Sequence, residues 1–109
     1  MTIVLFTGVP VADLGAALPW HEAFHGREPE MRPHEREVCW RVAEAGWVYV
    51  VEDPERAGRG LVTIIVSDLD ERLETLAGRG LIPAETEMTS PRKVTFVDPD
   101  GNRLSLAQI

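Results

Sequence analysis

The sequence predicts an α+β fold made of two βαβββ modules, and three observations support this prediction. The elements follow the order strand, helix, three strands, helix, and then two or three strands. Helix-start and turn signals recur in both halves: Asp13 corresponds to Asp68 and Gly46 to Gly101, an offset of about 55 residues, close to half the chain. Near the end, the polar turn Asp98–Asn102 separates two short apolar strands, as in a β-hairpin.

Length and composition indicate one globular domain. The chain has 109 residues, of which 44% are hydrophobic and 27% charged, as is usual for globular proteins. We expect a single domain over residues 1–109, with modules at about 1–55 and 56–109.

Charge and cysteine content restrict the partners and the compartment. A net charge of −7, without a basic stripe, disfavours nucleic acid and anionic membranes as partners. No apolar run approaches membrane-spanning length, and no leader pattern is found. Cys39 is the single cysteine, which excludes an intrachain disulfide and is typical of the reducing cytoplasm. We therefore expect a cytoplasmic protein.

The first module begins with an apolar, β-branched segment, Ile3–Val11, which predicts a strand. Asp13 is the expected N-cap of a helix that runs to about Phe24, with Gly26 closing it in the left-handed conformation. Pro19 leaves open a shorter helix that begins just before it.

The remainder of this module is predicted as a hairpin between two loops. Two strands, Glu37–Ala43 and Trp47–Glu52, enclose a tight turn, and polar segments at Arg27–Glu35 and Asp53–Gly60 are predicted loops.

The second module repeats this order. Leu61–Val66 is the strongest strand signal, and Asp68 with Glu71 predicts a capping box for the next helix. That helix is expected to end at Gly78 or Gly80. The remaining predicted strands are a weak one within Leu81–Met88 and the hairpin strands Val94–Val97 and Arg103–Ala107.

Several of these motifs together resemble the vicinal oxygen chelate superfamily, which includes glyoxalase I, extradiol dioxygenases and bleomycin-resistance proteins. The motifs are Val11-Ala-Asp13-Leu14, its repeat Val66-Ser-Asp68-Leu69, the helix-closing Gly26-Arg-Glu-Pro29, and Asp98-Pro-Asp-Gly-Asn102 followed by Leu104 and Leu106. The resemblance covers nearly the whole chain. It implies curved mixed sheets with helices on their convex sides, a pocket in the concave sides, and a homodimer.

Catalytic members of the superfamily hold a divalent metal with His and Glu side chains from the first and last strands of the modules. Carried onto this sequence, the four ligand positions are Phe6, Val50, Leu61 and Ser105. Divalent ions need carboxylate or imidazole ligands, and none of these residues supplies one. The resemblance therefore implies no metal, no cofactor and no catalytic residue at these positions.

One motif points instead towards zinc. His21-Glu22-Ala-Phe-His25 matches the His-Glu-x-x-His helix of zinc proteases, in which two imidazoles share a face and the glutamate activates water. Both histidines, however, fall on the apolar stripe of the predicted helix with Leu14, and no third ligand is evident. We interpret them as core or interface residues with a hydrogen-bonded tip.

The remaining candidate site is aromatic. Trp40, Trp47 and Tyr49 lie on the middle strands of the first module, and Phe6 occupies a former ligand position. Core packing is the simpler interpretation for each tryptophan, and the offset to Leu104 suggests that Tyr49 faces the helix. A metal-free cup lined by aromatic rings nevertheless suits planar ligands. The predicted ligand-binding set is Phe6, Trp40, Trp47, Tyr49, Leu61 and Ser105.

These residues favour a metal-independent small-molecule binding protein, similar to the antibiotic-sequestering members of the superfamily. The ligand is expected to be planar or, given the net charge of −7, cationic. Two alternatives remain open: a metal-dependent glyoxalase-like lyase, isomerase or dioxygenase, and an accessory interaction domain with a vestigial pocket.

Overall fold

The computed structural model describes residues 2–109 and contains two helices and eight strands within them. The elements are β1 Leu5–Val11, α1 Leu14–His25, β2 Met31–His34, β3 Glu37–Ala43, β4 Gly46–Glu52, β5 Leu61–Ile65, α2 Leu69–Gly78, β6 Glu85–Glu87, β7 Arg92–Val97 and β8 Arg103–Gln108.

The strands form two four-stranded mixed sheets of the same topology. Their orders are β1-β4-β3-β2 and β5-β8-β7-β6. In each sheet the first strand runs parallel to the last strand of its module, and the other pairs are antiparallel. The predicted α+β fold of two βαβββ modules is confirmed.

Helix α1 has the predicted caps at both ends. The Asp13 carboxylate accepts a hydrogen bond from the Ala16 amide at 3.1 Å, and Gly26 (φ 76°) donates its amide to the Glu22 carbonyl at 2.7 Å. The helix is continuous through Pro19, so the shorter alternative is wrong. Proline removes one intrahelical hydrogen bond, and the two caps and the buried face outweigh that loss.

Helix α2 lacks the predicted capping box. Asp68 adopts φ −129° and ψ 46°, and its carboxylate accepts from Arg72 Nε at 2.7 Å and caps no backbone amide. The Gln108 side-chain oxygen instead accepts from the Leu69 amide at 3.0 Å, so a residue of β8 satisfies the start of the helix.

The segment Arg27–Glu35, predicted as a loop, contains strand β2. All four residues of β2 are exposed, and Pro33 lies among them. Short, polar, proline-containing strands are usual at sheet edges, where few apolar contacts are needed. The strand therefore carried no hydrophobic periodicity that could have predicted it.

One apolar core connects the modules. Buried residues of both sheets and both helices form a single cluster, and the rings of Phe24 on α1 and Phe96 on β7 meet across the modules at 6.0 Å. Within residues 2–109, neither helix has the length and apolar character needed to cross a bilayer.

Candidate functional site

The first sheet has one buried and one open face because side chains alternate along each strand. Val9, Val48 and Val50 are fully buried on the side of α1. Phe6 and Trp47 are opposite each other in the β1–β4 ladder and point to the other side, where their rings stack at 5.7 Å with an interplanar angle of 9°.

Tyr49 extends this stack along β4. Its ring centroid lies 6.3 Å from that of Phe6, and it is only partly buried. We call Phe6, Trp47 and Tyr49 the aromatic face. The sequence-based suggestion that Tyr49 points towards the helix is wrong.

The position of Tyr49 depends on a glycine in the neighbouring strand. A Cβ atom at Gly8 would lie 2.6 Å from both Cζ and the hydroxyl oxygen of Tyr49, closer than real atoms approach. The phenol ring therefore lies directly over β1, in the space that the missing side chain leaves. No local sequence pattern predicts this role of Gly8.

Trp40 belongs to the opposite face of the same sheet. It is fully buried, its indole N–H donates to the Arg27 carbonyl at 2.9 Å, and its ring stacks on His25 at 4.5 Å. The structure thus separates Trp40 from the aromatic face and places it in the core beside α1.

The ladders also correct one of the four former ligand positions. Gly8 pairs with Tyr49 in the first sheet, and the equivalent pair in the second sheet is Thr63 with Ser105. Ser105 therefore corresponds to Tyr49 and not to Val50. The sequence offset between equivalent residues is one residue larger in the last strands than in the first strands. A constant offset of about 55 residues therefore assigns the wrong equivalent to Ser105.

The side chains at these corrected positions do not fit a divalent metal ion. Phe6 and Leu61 have no donor atom, and the Ser105 hydroxyl is buried in a hydrogen bond to the Thr95 hydroxyl at 2.7 Å. Tyr49 offers only a phenol oxygen. No group of three or more His, Cys, Asp or Glu residues lies within metal-binding range in residues 2–109.

His21 of the zinc-protease motif binds a carboxylate and not a metal ligand set. It is fully buried, and its Nε2 lies 2.8 Å from Oδ2 of Asp98, in the turn between β7 and β8. A carboxylate only accepts hydrogen bonds, so Nε2 carries the proton. The predicted hydrogen-bonded tip is confirmed for this histidine.

Asp98 and Asn102 form the centre of a buried network that joins the modules. Asp98 accepts from the Asn102 amide at 2.7 Å and from its side-chain nitrogen at 2.9 Å. The Asn102 side chain in turn donates to the Pro10 carbonyl and accepts from the Gly60 amide, each at 2.7 Å. We call His21, Asp98 and Asn102 the buried junction. It ties α1, the end of β1 and the start of β5 to one turn.

Opposing effects act on the carboxylate of the junction. Burial by itself would raise the pKa of Asp98, but the hydrogen bonds from His21 and Asn102 outweigh burial and leave the pKa below its usual value. The carboxylate is therefore charged near neutral pH.

His25, the second histidine of the motif, is held as a neutral ring. Desolvation, followed by the proximity of His21 and Arg27, lowers the pKa of His25 to about 3. Its Nε2 is buried and has no hydrogen-bond partner among residues 2–109, so a hydrogen-bonded tip is wrong here. The motif is structural, with one imidazole in the junction and the other against Trp40.

A cavity of about 670 Å³ adjoins the aromatic face beside Tyr49. Residues of β1 and β4, of the loop over residues 53–60 and of the start of β5 line this open cavity. Its lining residues are Gly8, Pro10, Tyr49, Val51, Asp53, Arg56, Arg59, Gly60 and Leu61. Of the predicted site residues, Tyr49 and Leu61 line this cavity, whereas Phe6, Trp47, Trp40 and Ser105 do not. The Phe6 ring connects the stack to the cavity through its contact with Tyr49.

A second cavity, of about 730 Å³, lies where α1, α2 and β5 approach one another. Its lining includes Arg27, Arg41, Arg72 and Arg79. Three of these guanidinium groups donate to backbone carbonyls, and Arg72 is paired with Asp68. The arginines here are therefore engaged in holding the fold.

Comparison with known proteins relates the chain to solved structures. It matches no family profile and no protein of the curated set at a significant level. A glyoxalase/bleomycin resistance protein from Catenulispora acidiphila is 42% identical, with 99% of each chain covered and a TM-score of 0.95.

Two more distant structures share the fold. An antibiotic-binding protein from a Streptomyces species is 23% identical over 99% of this chain and 96% of its own, with a TM-score of 0.75. A bleomycin-binding protein complexed with bleomycin is 17% identical over 100% and 98%, with a TM-score of 0.75. Because the chain is 42% identical to the Catenulispora acidiphila protein over 99% of both chains, it belongs to the glyoxalase/bleomycin resistance family of the vicinal oxygen chelate superfamily.

Proposed function

We propose that this protein binds a planar small molecule on its aromatic face without a metal ion. The observation that carries the proposal is the stacked pair of Phe6 and Trp47 beside an open cavity, with Phe6 42% exposed. Aromatic rings of this kind usually bury themselves in a core, and a half-exposed stack offers its surface to another planar group.

Sequestration of an antibiotic is the form of binding we favour. Holding a drug at equilibrium requires affinity but no chemistry, and the former ligand positions Phe6, Tyr49, Leu61 and Ser105 supply none of the usual metal ligands. Two structures of the same fold are described as antibiotic-binding and bleomycin-binding proteins, which supports this choice. The cytoplasm remains the proposed compartment.

We also propose that the protein is a homodimer. Strands β1 and β5 lie at the ends of their sheets, each with one hydrogen-bonded neighbour. Leu5 on β1 and Ile65 on β5 are 69% and 56% exposed. A second copy would cover these apolar edges, which otherwise favour uncontrolled pairing. Light scattering of the purified protein should give twice the chain mass of 12.1 kDa, and a monomer would refute this part.

Tryptophan fluorescence tests the binding proposal. Titration with planar drugs, in a buffer containing a chelator, should give saturable quenching because Trp47 stacks on the ligand. Trp47→Phe should abolish most of the quenching. Trp20→Phe, which removes a tryptophan from α1, is the matched control and should leave the quenching in place.

Metal analysis separates the proposal from the enzymatic alternative. We expect the protein purified without added metal to hold less than a stoichiometric amount of Ni, Zn, Mn or Fe. A stoichiometric metal that is required for ligand binding would support a metal-dependent lyase, isomerase or dioxygenase. Absence of binding to any planar compound would support an accessory interaction domain.

A further inference from the structure

The lining of the aromatic cavity carries one more positively than negatively charged side chain. The loop over residues 53–60 contributes three charged side chains to the lining, Asp53, Arg56 and Arg59. Asp53 pairs with Arg56 at 2.8 Å. Arg59 has no salt-bridge partner among residues 2–109, although the whole chain has a net charge of −7.

A second unused polar group lies in the same cavity. The Tyr49 hydroxyl makes no hydrogen bond to any residue in 2–109. The Tyr49 ring lies over Gly8, and Tyr49 lines the cavity. A phenol can donate one hydrogen bond and a guanidinium up to five. Both groups therefore offer donors to the same cavity.

Two carboxylates on the strands beside the lining are already engaged, whereas Glu55, in the same loop as Arg59, does not line the cavity. Glu37 lies opposite Val51 in the ladder, but its carboxylate is 3.5 Å from His34 and accepts from the Cys39 thiol at 3.6 Å. Burial and Glu37 raise the pKa of that thiol to about 11, so Cys39 is uncharged.

Glu52, at the end of β4, is engaged as well. Its carboxylate accepts from the Leu14 amide at 3.1 Å and lies 3.7 Å from Arg36. Neither this group nor Glu37 is free to neutralise the cation at the rim.

We infer that Arg59 and the Tyr49 hydroxyl hold the oxyanion of a planar acid whose ring system lies on the aromatic face. This inference rests on the proposed function and specifies its ligand class. A guanidinium binds a carboxylate or a phosphate through two parallel hydrogen bonds, which fixes the orientation of the ligand. The apolar wall of Val51 and Leu61 contacts the ring system. The charge of the cavity lining, with two arginines against one aspartate, thus favours an anion, whereas the net charge of the chain had suggested a cation.

A matched series of naphthalene derivatives tests the inference. The probes are 2-naphthoate, 2-naphthalenemethanol and 2-naphthylmethylammonium, which share the ring system and differ in charge. Titration of the full-length protein should show 2-naphthoate binding about tenfold more tightly than the alcohol, since hydrogen bonds to charged groups are the stronger ones. The ammonium compound should bind most weakly.

Variants assign the preference to its residues. Arg59→Gln should reduce the ratio between 2-naphthoate and the alcohol to near one, and Arg59→Lys should retain part of it. Tyr49→Phe should weaken the binding of 2-naphthoate a few-fold more than it weakens the binding of the alcohol. Arg72→Gln removes the same charge from the distant surface of α2 and should leave the ratio unchanged.

Each result distinguishes this inference from the proposed function. If the three probes bind equally, if the ammonium compound binds most tightly, or if Arg59→Gln keeps the preference, the inferred ligand class is wrong while planar binding stands. If no naphthalene compound binds at all, both the proposed function and the inference fail.

If 2-naphthoate binds as expected, a titration with 2-naphthyl phosphate shows which oxyanion the subsite prefers.

Discussion

The two modules share a ladder pattern but present different open faces. In the first module the positions beside the β1–β4 ladder carry Phe6, Trp47 and Tyr49, whose rings contact one another. At equivalent positions the second module has Leu61 and Ser105, and the Ser105 hydroxyl is buried against Thr95. The repeated backbone therefore fixes where side chains project, whereas the residues at those positions decide whether a face can bind a ligand.

The buried junction explains how two unlike faces remain in one fixed arrangement. His21 comes from the first module, and Asp98 and Asn102 come from the second. Asn102 also reaches the Pro10 carbonyl and the Gly60 amide, so the junction spans the boundary between the sheets. The turn of the second module thus positions the aromatic face of the first.

The largest effect is expected from removing the carboxylate of the junction. Asp98→Ala leaves the buried donors of His21 and Asn102 without an acceptor, and we expect the free energy of unfolding to fall by about 3–5 kcal/mol. Denaturant titration measures this loss. Asp70→Ala removes an exposed carboxylate paired with Arg92 and should cost much less, because solvent screens exposed ion pairs. Equal losses for the two variants would mean that the junction does not hold the modules together.

The next largest effect is expected when equivalent residues of the two modules are truncated. Phe6→Ala removes a stacking partner and should weaken binding of a planar ligand about tenfold, since aromatic contacts contribute roughly 1 kcal/mol beyond area. Leu61→Ala, at the equivalent position of the second module, should weaken it by less than about threefold. Calorimetric titration of both variants measures the two effects. Because Leu61 also lines the cavity, a greater effect of Leu61→Ala would show that the cavity wall, and not stacking on Phe6, contributes most to binding.

A pH dependence follows from the neutral ring of His25. Because its pKa is lowered from 6.5 to about 3, the unfolded chain takes up a proton below pH 6.5 that the folded chain does not. Stability is therefore retained above pH 6.5 and lost as the pH falls, by roughly 2 kcal/mol at pH 5 from this group.

Asp98 adds to this loss only at lower pH. Its pKa lies below the usual carboxyl value, so its contribution is present above that value and disappears as the pH falls through the lowered pKa. Urea titrations between pH 7 and pH 5 therefore separate the contribution of His25 from that of Asp98. His25→Phe should flatten the slope, and His34→Gln, which removes an exposed histidine, should not. An unchanged slope in His25→Phe would contradict the assignment.

The smallest effect concerns the space that Gly8 leaves for Tyr49. Gly8→Ala places a methyl group against the phenol ring, so we expect the ring to shift and ligand affinity to fall by a few-fold, about 1 kcal/mol. Thr63→Ala changes the equivalent ladder position of the second module and should leave affinity unchanged. The same titrations measure both. An unaffected Gly8→Ala would show that the position of Tyr49 does not matter for binding.

The fold could be predicted from the sequence because its signals are local. The Asp13 cap, the Gly26 closure and the Asp98–Asn102 turn each act within a few residues, and their repetition gave the topology. Strand β2 was missed since an exposed edge strand leaves no apolar pattern.

The candidate site was predicted only in part. The structure brings the predicted residues Phe6 and Trp47 together, but the direction of Tyr49 depends on one added residue between the modules, which a constant offset could not reveal. The contact between Gly8 and Tyr49 joins two strands that are far apart in sequence. Arg59 was missed because its place in the cavity lining and its lack of a carboxylate partner among residues 2–109 are properties of the folded chain.

Calorimetric titration of the wild-type chain and of Phe6→Ala with one quenching planar drug tests the central claim most directly. Each titration is run in chelator and again with added Zn or Ni. We predict one saturable site with the same Kd under both conditions, weakened about tenfold in Phe6→Ala. Binding that requires the metal, or that is unchanged in Phe6→Ala, would contradict metal-independent binding on the aromatic face.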